Sequence, residues 1–246
     1  MRKWNFCAGP AVISEEVLSE VQSELLEYSN SGSSIMEMSH RSSTYMKVAL
    51  DAKQDLKDIL KIPENYEILF LQGGATHQFS MIPMNFKNLT GSADYITTGS
   101  WTKKAFIEGS KIMNIKEIYS SEKGGFTCAP DLENLELSEN AAYVHYCPNE
   151  TIEGNAIHEV PKINKPLVAD MSSVILSEPI EIGNFSLIYA GAQKNIGPAG
   201  LTIVIIKKEF MEQCNSNLPN LFRYSEHAKS DSMLNTPPTF SWYVAG

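Results

Sequence analysis

The residues best placed to do chemistry centre on a lysine among small neighbours, Ala190-Gly191-Ala192-Gln193-Lys194-Asn195-Ile196-Gly197-Pro198-Ala199-Gly200. Apolar runs from Phe185 to Tyr189 and from Leu201 to Ile206 flank it. Both read as buried strands, which puts Lys194 on a tight connection between two core elements. Removing an ammonium from water is costly, so a lysine held there calls for a reason. One reason is Schiff-base chemistry, because an amine among apolar neighbours has a lowered pKa and attacks an aldehyde. A surface lysine on a glycine-rich turn is the plainer alternative. An acid, Asp170, closes the run Pro166-Leu167-Val168-Ala169-Asp170, 24 residues before the lysine. A carboxylate at the carboxyl end of a buried strand faces the ligand side of an open α/β sheet. There it can hold a protonated pyridine nitrogen, or simply cap the turn Met171-Ser172-Ser173.

Four further segments add polar or planar groups. Leu71-Gln72-Gly73-Gly74-Ala75-Thr76 leaves a strand, and His77-Gln78-Phe79 opens a helical stretch. Glycines let backbone N–H groups approach an anion, and a helix N-terminus adds positive potential. The loop has neither the Gly-Lys-Ser/Thr of a Walker A loop nor a dinucleotide fingerprint, so a small phosphate monoester suits it better than a nucleotide. Thr98-Gly99-Ser100-Trp101 ends another strand, where Trp101 can stack on a planar ring or fill the core. Asn149-Glu150-Thr151 follows the strand Ala142 to Tyr146 and can hydrogen-bond a ring hydroxyl. In Ser39-His40-Arg41-Ser42 the Arg41 fork suits a phosphate or carboxylate, or else is solvated. Each segment is ambiguous alone. In chain order they form an anion loop, a stacking aromatic, a polar loop, an acid and a lysine, which is what a pyridoxal phosphate site requires. Gly-x-Ser-x-Gly and His-Glu-x-x-His are absent, which speaks against those hydrolase classes.

These residues need a scaffold. Residues 1–14 read as an irregular arm, with a helix starting at Ser14 on the strength of Glu15 and Glu16 behind it. Val17, Leu18, Val21, Leu25 and Leu26 recur at helical spacing, and a second helix is expected from Tyr45 to Leu60, ended by Pro63. Short apolar strands then alternate with helical stretches: Glu67–Leu71, Asp94–Thr98, Ile115–Tyr119, Ala142–Tyr146, Leu167–Asp170, Phe185–Tyr189 and Leu201–Ile206. This alternation predicts an α/β domain with a largely parallel sheet. Thr236-Pro237-Pro238 reads as a helix start, and the chain stops soon after it.

Composition narrows the classes. The 246 residues are 43% hydrophobic, enough for one sizeable core, and the formal charge of −9 argues against nucleic-acid or anionic-membrane binding. Cys7, Cys128, Cys147 and Cys214 are too scattered for a disulfide framework or a zinc site, and no metal ligands are expected. No apolar stretch reaches the roughly 18 residues of a membrane span, and no secretory leader is evident, so a soluble cytoplasmic protein is expected.

With these motifs assembled, the sequence resembles the phosphoserine aminotransferase family, of the class-V, fold-type-I pyridoxal phosphate enzymes. The likeness is carried by Asn5-Phe6-Cys7-Ala8-Gly9-Pro10-Ala11, Met38-Ser39-His40-Arg41-Ser42, Phe70 to Phe79, Thr98 to Trp101, Tyr143 to Ile152, Ala169 to Ser173, Gly191 to Gly200, and Asn235-Thr236-Pro237-Pro238-Thr239. These stretches span essentially the whole chain in family order. The resemblance implies a mostly parallel mixed sheet flanked by helices, and a homodimer with active sites at the subunit interface. It implies transamination of 3-phosphohydroxypyruvate with L-glutamate. By position, Lys194 would bind the cofactor aldehyde and shuttle the substrate Cα proton, and Asp170 would pair with the ring nitrogen. Trp101 would stack on the ring and Thr151 would bond its phenolic oxygen. Ala75, Thr76 and Gln193 would hold the phosphate, while Asn235 and Thr236 would reach the neighbouring subunit's phosphate. His40 and Arg41 would help bind the acidic substrate. The family also carries a small C-terminal domain, so the chain is read as an arm (1–14) and a large domain (15–246) ending before it. The alternatives are a serine–glyoxylate-type aminotransferase, a cysteine desulfurase, or a non-catalytic cofactor-binding fragment.

Overall fold

The computed structural model describes residues 2–246. Seven strands form the central sheet: β1 (Tyr66–Leu71), β2 (Ser92–Thr97), β3 (Asn114–Ser120), β4 (Val144–Tyr146), β7 (Leu167–Asp170), β8 (Leu187–Gly191) and β9 (Thr202–Lys207). The two-residue strands β5 (Asn149–Glu150) and β6 (Asn155–Ala156) form a separate ribbon. The sheet order is β1-β9-β8-β7-β4-β2-β3. The pairs β8–β7, β7–β4, β4–β2 and β2–β3 are parallel, while β9 is antiparallel to both β1 and β8. Only β9 therefore runs against the rest, and the loops after β1, β2, β4, β7 and β8 all emerge on one side.

The inner strands β7, β8 and β9 are largely apolar and buried because helices cover both faces, whereas the edge strand β3 alternates and stays partly exposed. In β9, Ile203 and Ile205 join one core while Val204 and Ile206 join the other. The first core packs under α2 (Ser43–Ile59), through Tyr45, Ala49, Ala52 and Leu56, and under Trp242 of α7 (Thr239–Ala245). The second packs under α3 (Gly74–Thr90), α4 (Ser100–Ser110) and α6 (Tyr224–Lys229), through Phe79, Phe86, Ala105 and Tyr224. A short helix, α5 (Lys208–Met211), follows β9 and contributes Phe210 to this second core. Each fully buried aliphatic side chain contributes about 1.5–3 kcal/mol, so both faces hold the sheet rigid.

All seven expected strands are present, with shifted ends. The last-but-one starts at Leu187 rather than Phe185, because Phe185 N–H closes a turn onto Ile182 C=O at 3.0 Å. Ser14 does cap the first helix, α1 (Glu15–Glu24), its Oγ accepting from Val17 N–H at 3.2 Å. The helical apolar spacing there does not translate into burial. No residue of α1 is buried, Leu26 is 88% exposed, and the helix ends before Leu25. Its tie to the body includes Tyr243 of α7, whose hydroxyl donates to Glu24 Oε2 at 2.5 Å. No helix among the described residues is long and apolar enough to cross a membrane.

Candidate active site

The five loops at the carboxyl edge converge on one pocket. It is lined by Gly74, Ala75 and Thr76 after β1, Trp101 after β2, Cys147 and Asn149 after β4, Asp170 and Ser172 at β7, and Gln193 and Lys194 after β8. Ligands of open α/β sheets bind at this edge because strand ends and helix N-termini meet there.

The anion end is built by two glycines. Gly73 has φ +94°, and a Cβ there would lie 2.6 Å from His77 Cβ, so only glycine permits this entry into α3. The first helical bond runs from His77 N–H to Gly73 C=O at 3.3 Å. The N–H groups of Gly74, Ala75 and Thr76 have no acceptor one turn earlier, and no side chain caps them. They supply donors and the positive helix end to the pocket.

Trp101 is aimed by two acids. Glu150, fully buried, accepts from Trp101 N–H at 3.0 Å, Thr102 N–H at 2.9 Å and Thr102 Oγ1 at 2.5 Å. Burial raises the Glu150 carboxyl pKa, and the Thr102 hydrogen bonds counter that. Glu153 caps the same helix through Ser100 N–H at 3.0 Å. Carboxylates are favoured at a helix N-terminus.

Lys194 sits in the loop between β8 and β9, as expected, but it is half-buried rather than enclosed. The pocket leaves its head accessible. Its Nζ donates to Thr151 Oγ1 and lies 5.0 Å from the centre of the Trp101 ring. Lys104 Nζ lies 4.4 Å from the same ring. The N-terminal arm is tied to this loop by Ala11 N–H donating to Gln193 C=O at 2.8 Å.

Asp170 is buried at the pocket's inner end. Its Oδ1 accepts from Ser172 N–H at 3.0 Å and Ser172 Oγ at 2.6 Å. Asp170 thus caps the Ser172 turn, as one sequence reading has it, and it also lines the pocket. Burial raises its carboxyl pKa, opposed by the Ser172 hydrogen bonds and by the Lys194 charge. Burial also pushes the neighbouring Cys147 thiol well up.

The other expected site residues lie elsewhere. Asn235 lines a larger cavity of about 680 Å³ beside the pocket, with Gln72, His77, Phe222 and His227, and Thr76 lines both. Gln72 Nε2 donates to Thr236 C=O at 2.9 Å, which pins that segment near the anion loop. His40 and Arg41 form the approach to α2 and do not line the pocket. Glu150, which reaches Trp101 and Thr102 from the loop after β4, carries site geometry that no local motif announced.

The sequence matches the family described as Aminotransferase class-V over residues 3–246. It is 50% identical over 246 residues to a phosphoserine aminotransferase of Hahella chejuensis, covering 100% of this chain and 68% of that relative. A solved phosphoserine aminotransferase from Bacillus circulans subsp. alkalophilus superposes with a TM-score of 0.96 at 44% identity, covering 99% of this chain and 68% of that one. A pyridoxal-phosphate-bound phosphoserine aminotransferase from Trichomonas vaginalis gives a TM-score of 0.90 at 38% identity, covering 99% and 69%. Convergent strand-end loops, a lysine over a tryptophan ring and whole-chain similarity agree, and the chain belongs to the class-V aminotransferases, in the phosphoserine aminotransferase family.

Proposed function

We propose that this chain is the pyridoxal-phosphate-binding part of a phosphoserine aminotransferase, exchanging an amino group between L-glutamate and 3-phosphohydroxypyruvate to give 2-oxoglutarate and O-phospho-L-serine. The observation that carries this is Lys194, held by Thr151 over the Trp101 ring in a pocket that ends on the buried Asp170 carboxylate. The residues present fit the cofactor. Unpaired N–H groups at the start of α3 match a phosphate, and a carboxylate buried beside a single lysine matches a protonated ring nitrogen. When bound, pyridoxal phosphate supplies an aldehyde that captures amines and a ring that spreads the electron pair left at the substrate Cα.

The chain's own groups do the rest. Lys194 holds the cofactor and, once released, moves the proton at the substrate Cα as a general base and acid. Asp170 keeps a proton on the ring nitrogen. Trp101 would cover the cofactor ring and Thr151 would bond its phenolic oxygen. Ala75, Thr76 and Gln193 anchor the phosphate. Asn235 and Thr236 lie outside the chain's own pocket, which fits a homodimer in which they serve the neighbouring copy. His40 and Arg41 would meet the acidic substrate in that assembly. Residues 15–246 are read as the large cofactor domain, and the cytoplasm as its compartment.

A serine–glyoxylate-type aminotransferase or a cysteine desulfurase would share Lys194 and Asp170, and the 50% identity to the Hahella chejuensis relative favours the phosphoserine reading. The test is borohydride treatment of protein loaded with pyridoxal phosphate, followed by intact and peptide mass. A reduced adduct on the peptide containing Lys194, lost in Lys194→Ala, is the expected result. An adduct on another lysine, or none, overturns the assignment. A panel of amino donors and keto acids then separates the three activities.

A further inference from the structure

Asp170 and Lys194 would grip opposite ends of one ring, so the protein has to set their spacing. The turn that follows β7 carries the contacts that set it. Ser172, buried, donates through Oγ to Asp170 Oδ1 at 2.6 Å and accepts there from Gly191 N–H at 3.0 Å. Ser172 N–H adds a second bond to Oδ1 at 3.0 Å. Gly191 ends β8, and Lys194 follows it in the next loop. Met171 N–H already pairs with Tyr189 C=O at 2.8 Å, so the Ser172 hydroxyl carries the β7–β8 pairing past the end of β7. On the other side of Lys194, Asn195 Nδ2 donates to Ile175 C=O of the same turn at 2.5 Å. Ser173 bridges the opposite way. Its Oγ donates to Asn149 C=O at 2.9 Å and accepts from Asn149 Nδ2 at 2.7 Å. Asn149 opens the β5–β6 ribbon, which leads into Thr151, the acceptor for Lys194 Nζ. The contacts close on themselves, with Ser172 and Ser173 at the join.

We propose that Ser172 and Ser173 are positioning residues that set Asp170, Lys194 and Thr151 at one fixed spacing before any ligand enters; this deepens the function proposed above and rests on it. The directions of the hydrogen bonds follow from the groups themselves. A hydroxyl has one hydrogen and two lone pairs, and a backbone N–H can only donate. Gly191 N–H therefore takes a lone pair of Ser172 Oγ and leaves its hydrogen for Asp170. An ionised carboxylate only accepts, which fits that direction. Both Ser172 donors meet the same oxygen, Oδ1. Among the described residues Oδ2 accepts no hydrogen bond, and Asp170 lines the pocket. Oδ2 is the oxygen left for a protonated ring nitrogen.

Three groups held this way match three positions on pyridoxal phosphate: the ring nitrogen, the aldehyde carbon across the ring, and the phenolic oxygen beside that carbon. A preformed spacing spares the cost of ordering these groups when the ring enters, and supporting hydrogen bonds are what hold such a spacing. The titratable groups that face Asp170 are Lys194, Cys147 and Tyr189. Burial raises the thiol and the phenol and keeps both neutral, so Lys194 is the charge opposite the carboxylate.

The first arm of the test uses the full chain without cofactor, so it does not depend on which ligand the pocket takes. With a ¹³Cγ-aspartate label, the Asp170 carboxyl is assigned by its loss in Asp170→Asn and titrated by NMR. In Ser172→Ala its midpoint should rise by about one pH unit, a tenfold change in acid constant, because the charged form loses a donor. Ser172→Thr, which keeps the hydroxyl, should bring it most of the way back. Ser173→Ala should leave the Asp170 midpoint in place and move the Asn149 side-chain amide signals towards those of a free amide. The second arm adds pyridoxal phosphate and traps it with borohydride. Both alanine variants should form the Lys194 adduct at least about tenfold more slowly than the parent. A merely structural role would lower the urea midpoint without this titration and rescue pattern. An unmoved Asp170 midpoint in Ser172→Ala, or parent-like trapping in both variants, overturns the proposal. A parent that takes up no pyridoxal phosphate would instead overturn the function proposed above, with the first arm still deciding the role of Ser172.

Discussion

The Glu150 carboxylate accepts a hydrogen bond from Trp101 N–H at 3.0 Å, so the loop after β4 aims the aromatic that follows β2. The two residues are 49 positions apart, and both belong to the pocket end of the sheet. Glu150→Gln keeps the shape but replaces one carboxylate oxygen by a donor facing an N–H group. We predict a loss of about 1–3 kcal/mol in urea unfolding, with a red-shifted, broadened Trp101 emission in the folded state. Unchanged stability and emission would show that Glu150 does not hold Trp101.

Asp170 stands in the folded state with a raised pKa because burial disfavours its charge. The folded chain therefore binds more protons than the unfolded chain between the ordinary carboxylate value, about 4, and the raised folded value. Stability falls as pH rises through that window. Asp170→Asn keeps Oδ1 for Ser172 and removes the charge. It should melt higher than the parent at neutral pH, by a few degrees for about 1 kcal/mol, and lack this part of the pH slope. The same variant should lose transamination, giving a stability gain with a functional loss. A lower melting point at neutral pH would contradict this assignment of charge.

Gly73 enters α3 with φ +94°, and its missing Cβ leaves room for His77. In Gly73→Ala the backbone must leave this conformation or His77 must move, at a cost of about 1–3 kcal/mol. The three free N–H groups of the first turn would then be misaimed. Titration with pyridoxal phosphate, followed by tryptophan quenching, should show affinity at least about tenfold weaker, a difference of about 1.4 kcal/mol. Parent-like affinity would separate the anion site from the start of α3.

Trp242 of α7 stacks on Phe70 of β1 with centroids 4.2 Å apart and planes 12° from parallel, and it is 1% exposed. That contact fixes the helix following Asn235 and Thr236. Trp242→Ala should cost about 3–5 kcal/mol in chemical denaturation. A loss below about 1 kcal/mol would mean that α7 is not part of the cooperative core.

Lys194, Asp170, the Gly73-Gly74 loop and the seven strand runs were all legible in the sequence, because each is announced by contiguous residues. Buried strands show as apolar runs, and polar residues at their carboxyl ends must face the ligand edge. The sequence alone also placed Trp101 and Thr151 after strands, and it carried the helix start at Ser14 and the family resemblance. What it could not determine was which side chains meet across strands. His145 and Tyr189 touch although they are 44 positions apart, and Glu150 reaches Thr102 across 48. Such pairs follow from strand order and register, which no local spacing encodes. The apolar spacing of α1 was equally legible and yet buries nothing, because burial depends on what packs against a face. The same reason separates Asn235, Thr236, His40 and Arg41 from the pocket. The sequence marks them as polar, and only the tertiary arrangement decides which surface they occupy.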